Sequence, residues 1–230
     1  MKRISIFGLL AILLASASVF SFSVRANGQL DQVLSNMQRE ARKIKNFYSK
    51  MEQIKRNTQI GGKEIYRGEI FFKHGGKGKD KVLIQYEIPP GQKVSVVGDE
   101  IILFQPNIKQ ALITSRSSQA SQNQEFAFFA TPYSLTTAQI KSRYNAVYLG
   151  DEQVGGARTS VLELTPKLKS AVKKMKWWVD QSSWLPIRTE VIEQNGDVST
   201  FTLSNLKING AMPDGMFKIK IPGDFKVVRR

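Results

Sequence analysis

The side chains able to do chemistry are few. There is one histidine, His74, and no cysteine. A single imidazole cannot supply the paired ligands of a zinc site, and no serine stands in a motif that would give it a histidine base. His74 opens the run His74, Gly75, Gly76, Lys77, Gly78, Lys79, which has the composition of a phosphate loop. A phosphate loop needs Ser or Thr after its lysine at a helix start, whereas Asp80 follows here and a strand comes next, so the run reads as a basic hairpin turn. The carboxylates Glu69, Asp99, Glu163 and Asp180 fall near strand ends, and nothing in their spacing pairs two of them as general acid and base. Trp177 and Trp178 are adjacent, so in a strand one faces the core and the other the outer surface. Beside Lys173, Lys174 and Lys176 the outer ring could stack on a base. Catalysis is the weakest of the function classes that remain.

The elements that position these residues are mostly strands. Over 68–114, apolar runs rich in β-branched and aromatic residues alternate with Gly, Pro, Asp and Asn, which predicts an antiparallel meander. Turn residues at Gly75 and Gly76, at Pro89, Pro90 and Gly91, and at Gly98 and Asp99 supply its hairpins. Before the meander, 47–56 and 65–73 read as a strand pair. After it, strands are expected over 144–149, 160–165, 172–179, 186–193 and 198–208, with Asn195 and Gly196 as a tight turn. Two closing strands are expected over 217–221 and 225–228.

Helices are fewer. Leu30, Val33, Leu34, Met37, Ala41 and Ile44 recur at helical spacing with charged residues between them, which predicts an amphipathic helix. A short helix is expected over 136–143, capped by Thr136 or Thr137. Between 115 and 123 the chain turns polar, and Phe126, Phe128 and Phe129 follow. They form either a core plug or a cover over an apolar cavity. With about eleven strands against two or three helices, the economical architecture is one strongly curved antiparallel sheet wrapped around helices.

The first residues read as an export signal: Lys2 and Arg3, an apolar run over 4–20, and small residues at Val24 and Ala26, placing cleavage after Ala26. A retained anchor would need a longer run than this one. The domains expected are therefore a leader, 1–26, and a single domain, 27–230, delivered to the periplasm as a soluble chain. The absence of cysteine removes disulfides and any site for N-terminal lipid attachment. The net charge is +15, and removal of Lys2, Arg3 and Arg25 leaves +12. This balance favours anionic partners, such as lipid headgroups or an acidic protein face, while export argues against nucleic acid.

The order of motifs resembles a known family. Gly68, Glu69, Ile70, Phe71, Phe72, Lys73 and His74 precede Tyr86 and Pro90, then Val97, Gly98 and Asp99, then an apolar run closed by Pro106. The second half adds Leu162, Glu163, Leu164, Thr165 and Pro166, then Val179 and Asp180, Leu185 and Pro186, Asn195 and Gly196, Asn205, Asn209, Phe217, Pro222 and Gly223. In this order the chain resembles LolA, the periplasmic outer-membrane lipoprotein carriers. The resemblance implies a half-open antiparallel β-barrel of about eleven strands, covered by the N-terminal helix and a short helical, Phe-rich lid. It implies a carrier rather than an enzyme, with no cofactor. The partners implied are the acyl chains of lipoproteins, an inner-membrane ABC transporter that releases them and an outer-membrane receptor, with the chain acting as a monomer.

Moving acyl chains through water costs about 0.8 kcal/mol per CH₂, so a carrier must hide them in an apolar cavity. The residues expected to line it are Leu30, Leu34 and Met37 of the helix, Phe71 and Ile102 of the sheet, and Phe126, Phe128 and Phe129 of the lid. A one-residue change of strand facing would exchange Phe71 for Phe72 and Ile102 for Leu103. Family members carry an arginine after the lysine of the first hairpin. Here that position is His74, the candidate lid latch, whose smaller and mostly neutral ring would make a weaker or pH-sensitive latch.

Overall fold

The computed structural model describes residues 18–76, 80–115 and 135–230, with side chains described from Gly28 onward. The architecture is one sheet of twelve strands that does not close into a barrel, with its helical cover on one face. In chain order the elements are α1 (Ser18–Ala41), β1 (Asn46–Arg56), β2 (Lys63–Lys73), β3 (Lys81–Ile88), β4 (Lys93–Val97), β5 (Glu100–Gln105), β6 (Gln110–Ser115), α2 (Thr137–Arg143), β7 (Tyr144–Val154), β8 (Ala157–Pro166), β9 (Val172–Asp180), β10 (Pro186–Glu193), β11 (Val198–Ile208) and β12 (Lys226–Arg229). The spatial order is β12-β6-β5-β4-β3-β2-β1-β11-β10-β9-β8-β7. Successive hairpins account for all of it except two junctions. β1 joins β11 antiparallel, bringing the two halves of the chain together, and β12 runs parallel to β6.

The half-open sheet is the expected one, with two corrections at the C-terminus. Residues 217–221 form no strand. A 3-10 turn, Asp214–Phe217, ends there, and Pro213 and Pro222, which cannot donate to a ladder, bracket it. Phe217 is instead fully buried against the outer face of β3 and β4, where Ser95 Oγ donates to its carbonyl oxygen. β12 then adds the twelfth strand, parallel where the expectation was antiparallel.

α1 forms where the apolar positions recur at i, i+3, i+4 and i+7. Leu30, Val33, Leu34 and Met37 are all buried, each side chain contributing about 1.5–3 kcal/mol when fully removed from water. The described part of the helix runs from Ser18, so its backbone is helical on both sides of the expected cleavage position after Ala26. α2 is capped as expected: Thr136 Oγ1 accepts from Gln139 N, and the Gln139 side chain accepts from Thr136 N. The same turn clips α2 to α1, since Thr137 N donates to Gln38 Oε1 at 2.9 Å and Thr137 Oγ1 donates to the Leu34 carbonyl at 3.1 Å.

Backbone requirements explain several of the motif residues. Gly68 sits at a bulge where β2 passes β3, and a Cβ there would lie 2.1 Å from the Gln85 carbonyl oxygen. Asn205 and Asn209 hold the left-handed conformation, at φ of 54° and 58°, which asparagine tolerates better than most residues. Asn209 then ties the start of β1 to the end of β11, accepting from Lys45 N at 2.7 Å and donating to the Lys43 carbonyl at 3.0 Å.

Candidate functional site

The candidate site is the inner face of the sheet, and strand register decides which residues stand on it. One inner row crosses the β1–β6 half as Phe47, Phe72, Val82, Val96 and Ile101, and the next as Ser49, Ile70, Ile84, Val94 and Leu103. With Ile44, Met51, Leu185, Phe201 and Leu203 these form one apolar cluster, in which Phe47 and Phe72 stack at 5.2 Å. Among the described residues its members come from the sheet and from the loops that hold Ile44 and Leu185, with none from α1 or α2.

A second cluster occupies the β7–β10 half. Leu162, Leu164, Met175, Trp177, Val179 and Val191 form the floor, and Leu30, Val33, Leu34, Met37 and Ile140 cover it from the two helices. The helical cover therefore lies over one end of the sheet, against β7.

The residues expected to line a single cavity are divided by this arrangement. Leu30, Leu34 and Met37 share the second cluster. Phe71 and Ile102 stand on the opposite face, in the row Tyr48, Phe71, Leu83, Ser95, Ile102 and Ile113. Phe71 packs on Tyr48 at 5.2 Å there, and Tyr48 donates to Glu69 at 2.7 Å. The inner positions belong to Phe72, Ile101 and Leu103. Phe126, Phe128 and Phe129 lie outside the described residues.

The facing was ambiguous for a physical reason. The C-terminal segment covers the outer face of the meander: Phe217 is buried over β3 and β4, and Phe225 stacks on Phe104 at 4.9 Å. Both faces are therefore apolar, and the alternation that normally marks a half-buried strand is lost in runs such as Val82, Leu83, Ile84 and Ile101, Ile102, Leu103.

His74 is held within its own hairpin. Its Nδ1 lies 3.0 Å from Asp80 Oδ1, and its ring meets the edge of inner-face Phe72 at 4.7 Å between centroids. The neighbouring lysines tie this hairpin to the C-terminal segment: Lys73 Nζ and Lys81 Nζ lie 2.8 Å and 3.0 Å from the two carboxylate oxygens of Asp214.

The carboxylates singled out earlier have separate structural duties. Glu163 pairs with Lys174 at 3.0 Å. Burial pushes the Asp180 carboxyl up, but hydrogen bonds from Ser182 and Ser183 outweigh it and hold the group below the ordinary Asp range. Among the described residues, no group of three His, Cys, Asp or Glu side chains is placed to hold a metal ion. A cavity between the β1–β2 and β10–β11 turns is lined by Lys55, Glu64, Glu193 and Ser199 among others, so its wall is mixed in charge.

Two further polar groups escaped the sequence reading. Gln53 Nε2 and Trp177 Nε1 are buried N–H donors on the inner face with no protein acceptor in reach. The adjacency of Trp177 and Trp178 signalled that one ring would be buried, but not that its donor would lack a partner. Trp178 faces outward in a small cluster with Val154, Val161 and Ile187, and its Nε1 donates to Glu152 at 2.7 Å.

The fold has several solved counterparts. An uncharacterised conserved protein from Thermus thermophilus is similar at a TM-score of 0.57 and 11% identity, over 87% of this chain and 98% of that one. MucB is similar at a TM-score of 0.57 and 16% identity, over 87% of this chain and 66% of MucB. A LolA superfamily protein from Nitrosomonas europaea is similar at 0.41 and 17% identity, over 83% of this chain and 97% of that one. An uncharacterised protein of Methanocaldococcus jannaschii is 31% identical over 100 residues, 44% of this chain. The chain thus spans little more than a quarter, 28%, of the curated relative it matches. A family model described as "-like: Uncharacterized protein" matches residues 78–213. Matched over more than half of its length, the chain belongs to that family.

Proposed function

We propose that the protein is an envelope lipid carrier that holds the acyl chains of lipoproteins against the inner face of its sheet and shuttles them from the inner to the outer membrane. One observation carries this: two apolar clusters line the inner face, one on β1–β5 and β11 and one on β8–β10, and the described helices contribute to the second only. An inner face lined by hydrocarbon side chains suits a ligand whose transfer from water is favourable by about 0.8 kcal/mol per CH₂. The inner residues Phe72, Ile101 and Leu103 and the helical residues Leu30, Leu34 and Met37 are the acyl contacts, and Phe126, Phe128 and Phe129 belong with them. His74, in contact with Phe72, is the candidate latch.

The carrier works in the periplasm as an exported, soluble monomer, after removal of 1–26. No described helix is long and apolar enough to cross a membrane. Cargo arrives from an inner-membrane ABC transporter and leaves to an outer-membrane receptor, with no covalent step. Native mass spectrometry of the purified chain tests the proposal. Co-purifying acylated lipid or lipopeptide is the expected result, and a chain that carries none and takes up none from vesicles overturns it.

A second reading is an envelope sensor that binds misplaced lipoproteins or another, anionic lipid and answers through a protein partner. The likeness to MucB, whose solved structures include a complex with MucA, favours it. The chain's net charge, +15 in full and +12 once 1–26 is removed, suits an anionic headgroup.

A further inference from the structure

The inner face carries a polar row where its two apolar clusters meet. Gln53 of β1 stands opposite Phe201 of β11, Phe201 opposite Thr189 of β10, and Thr189 opposite Trp177 of β9. All four are buried, Gln53 at 3% exposure and Trp177 at 0%. Phe201 belongs to the cluster of the β1–β6 half and Trp177 to the cluster under α1, so anything lying across both clusters passes over this row.

At the two ends of the row, Gln53 Nε2 and Trp177 Nε1 have no acceptor within the protein. Buried donors are almost always satisfied, because an unmade hydrogen bond in an apolar setting forfeits the full hydration of the group. Both orphans donate, so the complement must accept. Neither has an ion-paired partner beside it in the row, and burying a charge without one is far costlier than burying a neutral dipole. The two positions are three strand spacings apart, about 14 Å, a span suited to an extended molecule rather than to a single ion.

We propose that this row is a binding site for the uncharged acyl carbonyl oxygens of an ester lipid, with Trp177 Nε1 and Gln53 Nε2 as the donors that position the chain. The proposal rests on the carrier reading and names the chemistry that the inner face selects. Hydrocarbon alone fills the clusters; the ester oxygen sets where along the chain the ligand stops.

The test is displacement of the uncharged dye N-phenylnaphthylamine from the full chain by decane and by methyl decanoate. The wild-type chain is expected to prefer the ester by about tenfold, one hydrogen bond's worth of affinity. Methyl decanoate has one carbonyl and meets one donor at a time, so Trp177→Phe, which keeps the ring and removes the N–H, and Gln53→Leu are each expected to lower the ratio, and the two together to bring the ligands within about twofold. Failure of both ligands to displace the dye overturns the carrier reading and this one with it. Equal displacement by both, or a preference that survives Trp177→Phe combined with Gln53→Leu, leaves the carrier standing and overturns the carbonyl row. Should Trp177→Phe fail to fold, Gln53→Leu and the wild-type ratio decide the matter.

Discussion

Trp177 and Trp178 are neighbours in β9 and are buried on opposite faces of the sheet, at 0% and 8% exposure. The outer ring packs on Val154, Val161 and Ile187, donates to Glu152 at 2.7 Å and lies beneath the Arg188 guanidinium at 5.9 Å. It is thus packing, not a free platform for a base. Replacing Trp178 with Ala should cost about 3–5 kcal/mol, the usual toll of removing a large buried aromatic. Trp178→Phe should cost less, because it loses the hydrogen bond and part of the area only. Urea denaturation of the two variants measures the difference, and a cost below about 1 kcal/mol for Trp178→Ala would contradict the assignment.

At Gly68 the β2 backbone passes close under Gln85 of β3. A methyl group there would be 2.1 Å from the Gln85 carbonyl oxygen, so the two strands must separate to admit it. Gly68→Ala should destabilise by at least about 2 kcal/mol, toward the upper end of overpacking costs. By contrast, nothing lies within 4 Å of a Cβ at Gly210, where the same change should be nearly silent. Thermal melts of the two variants compare them directly.

These two positions mark how much of the fold and site could be read from residues alone. Strand number, the hairpins and the cap of α2 were legible because each depends on local spacing: Thr136 with Gln139, Asn195 with Gly196, Leu30 with Leu34 and Met37. Facing in the meander was not. It depends on Phe217, which lies more than a hundred residues away from β3 and β4 and makes their outer face apolar as well. The division of the inner face into two clusters was hidden for a similar reason, since it arises from the pairing of β1 with β11. A lone orphan donor such as Trp177 Nε1 has no sequence signature at all.

The C-terminal segment is held to the β2–β3 hairpin by ion pairs that titrate. Hydrogen bonds from Lys73 and then Lys81 hold the Asp214 carboxyl below its ordinary value of 3.8, and Lys109 does the same for Asp224. A carboxyl with a depressed folded pKa stabilises above the unfolded value and loses that contribution as pH falls through the folded one. The segment should therefore stay docked at neutral pH and loosen progressively as pH drops below 3.8. Hydrogen exchange of the amides around Phe217 and Phe225 across that range reads the loosening. Asp214→Asn should reduce the pH step and Asp214→Asn with Asp224→Asn should remove most of it, and a step that persists unchanged in the double variant would show that other groups drive it.

Adjacent residues of β5 separate the two faces most sharply. Ile101 stands on the inner face with Val96 and packs on the first apolar cluster, whereas Ile102 stands on the outer face between Ser95 and Ile113. Both are only partly buried, so a lysine at either position can carry its charge toward water along its own stem. Ile101→Lys should reduce retention of acyl lipid by about tenfold or more, because it puts a cation on the surface that must take hydrocarbon. Ile102→Lys should change stability by a similar amount but leave retention within about twofold, since its side chain stands on the opposite face of the sheet. Lipid co-purified per mole of folded protein is the quantity to compare. Equal loss in the two variants would mean that the inner face is not where the acyl chains lie.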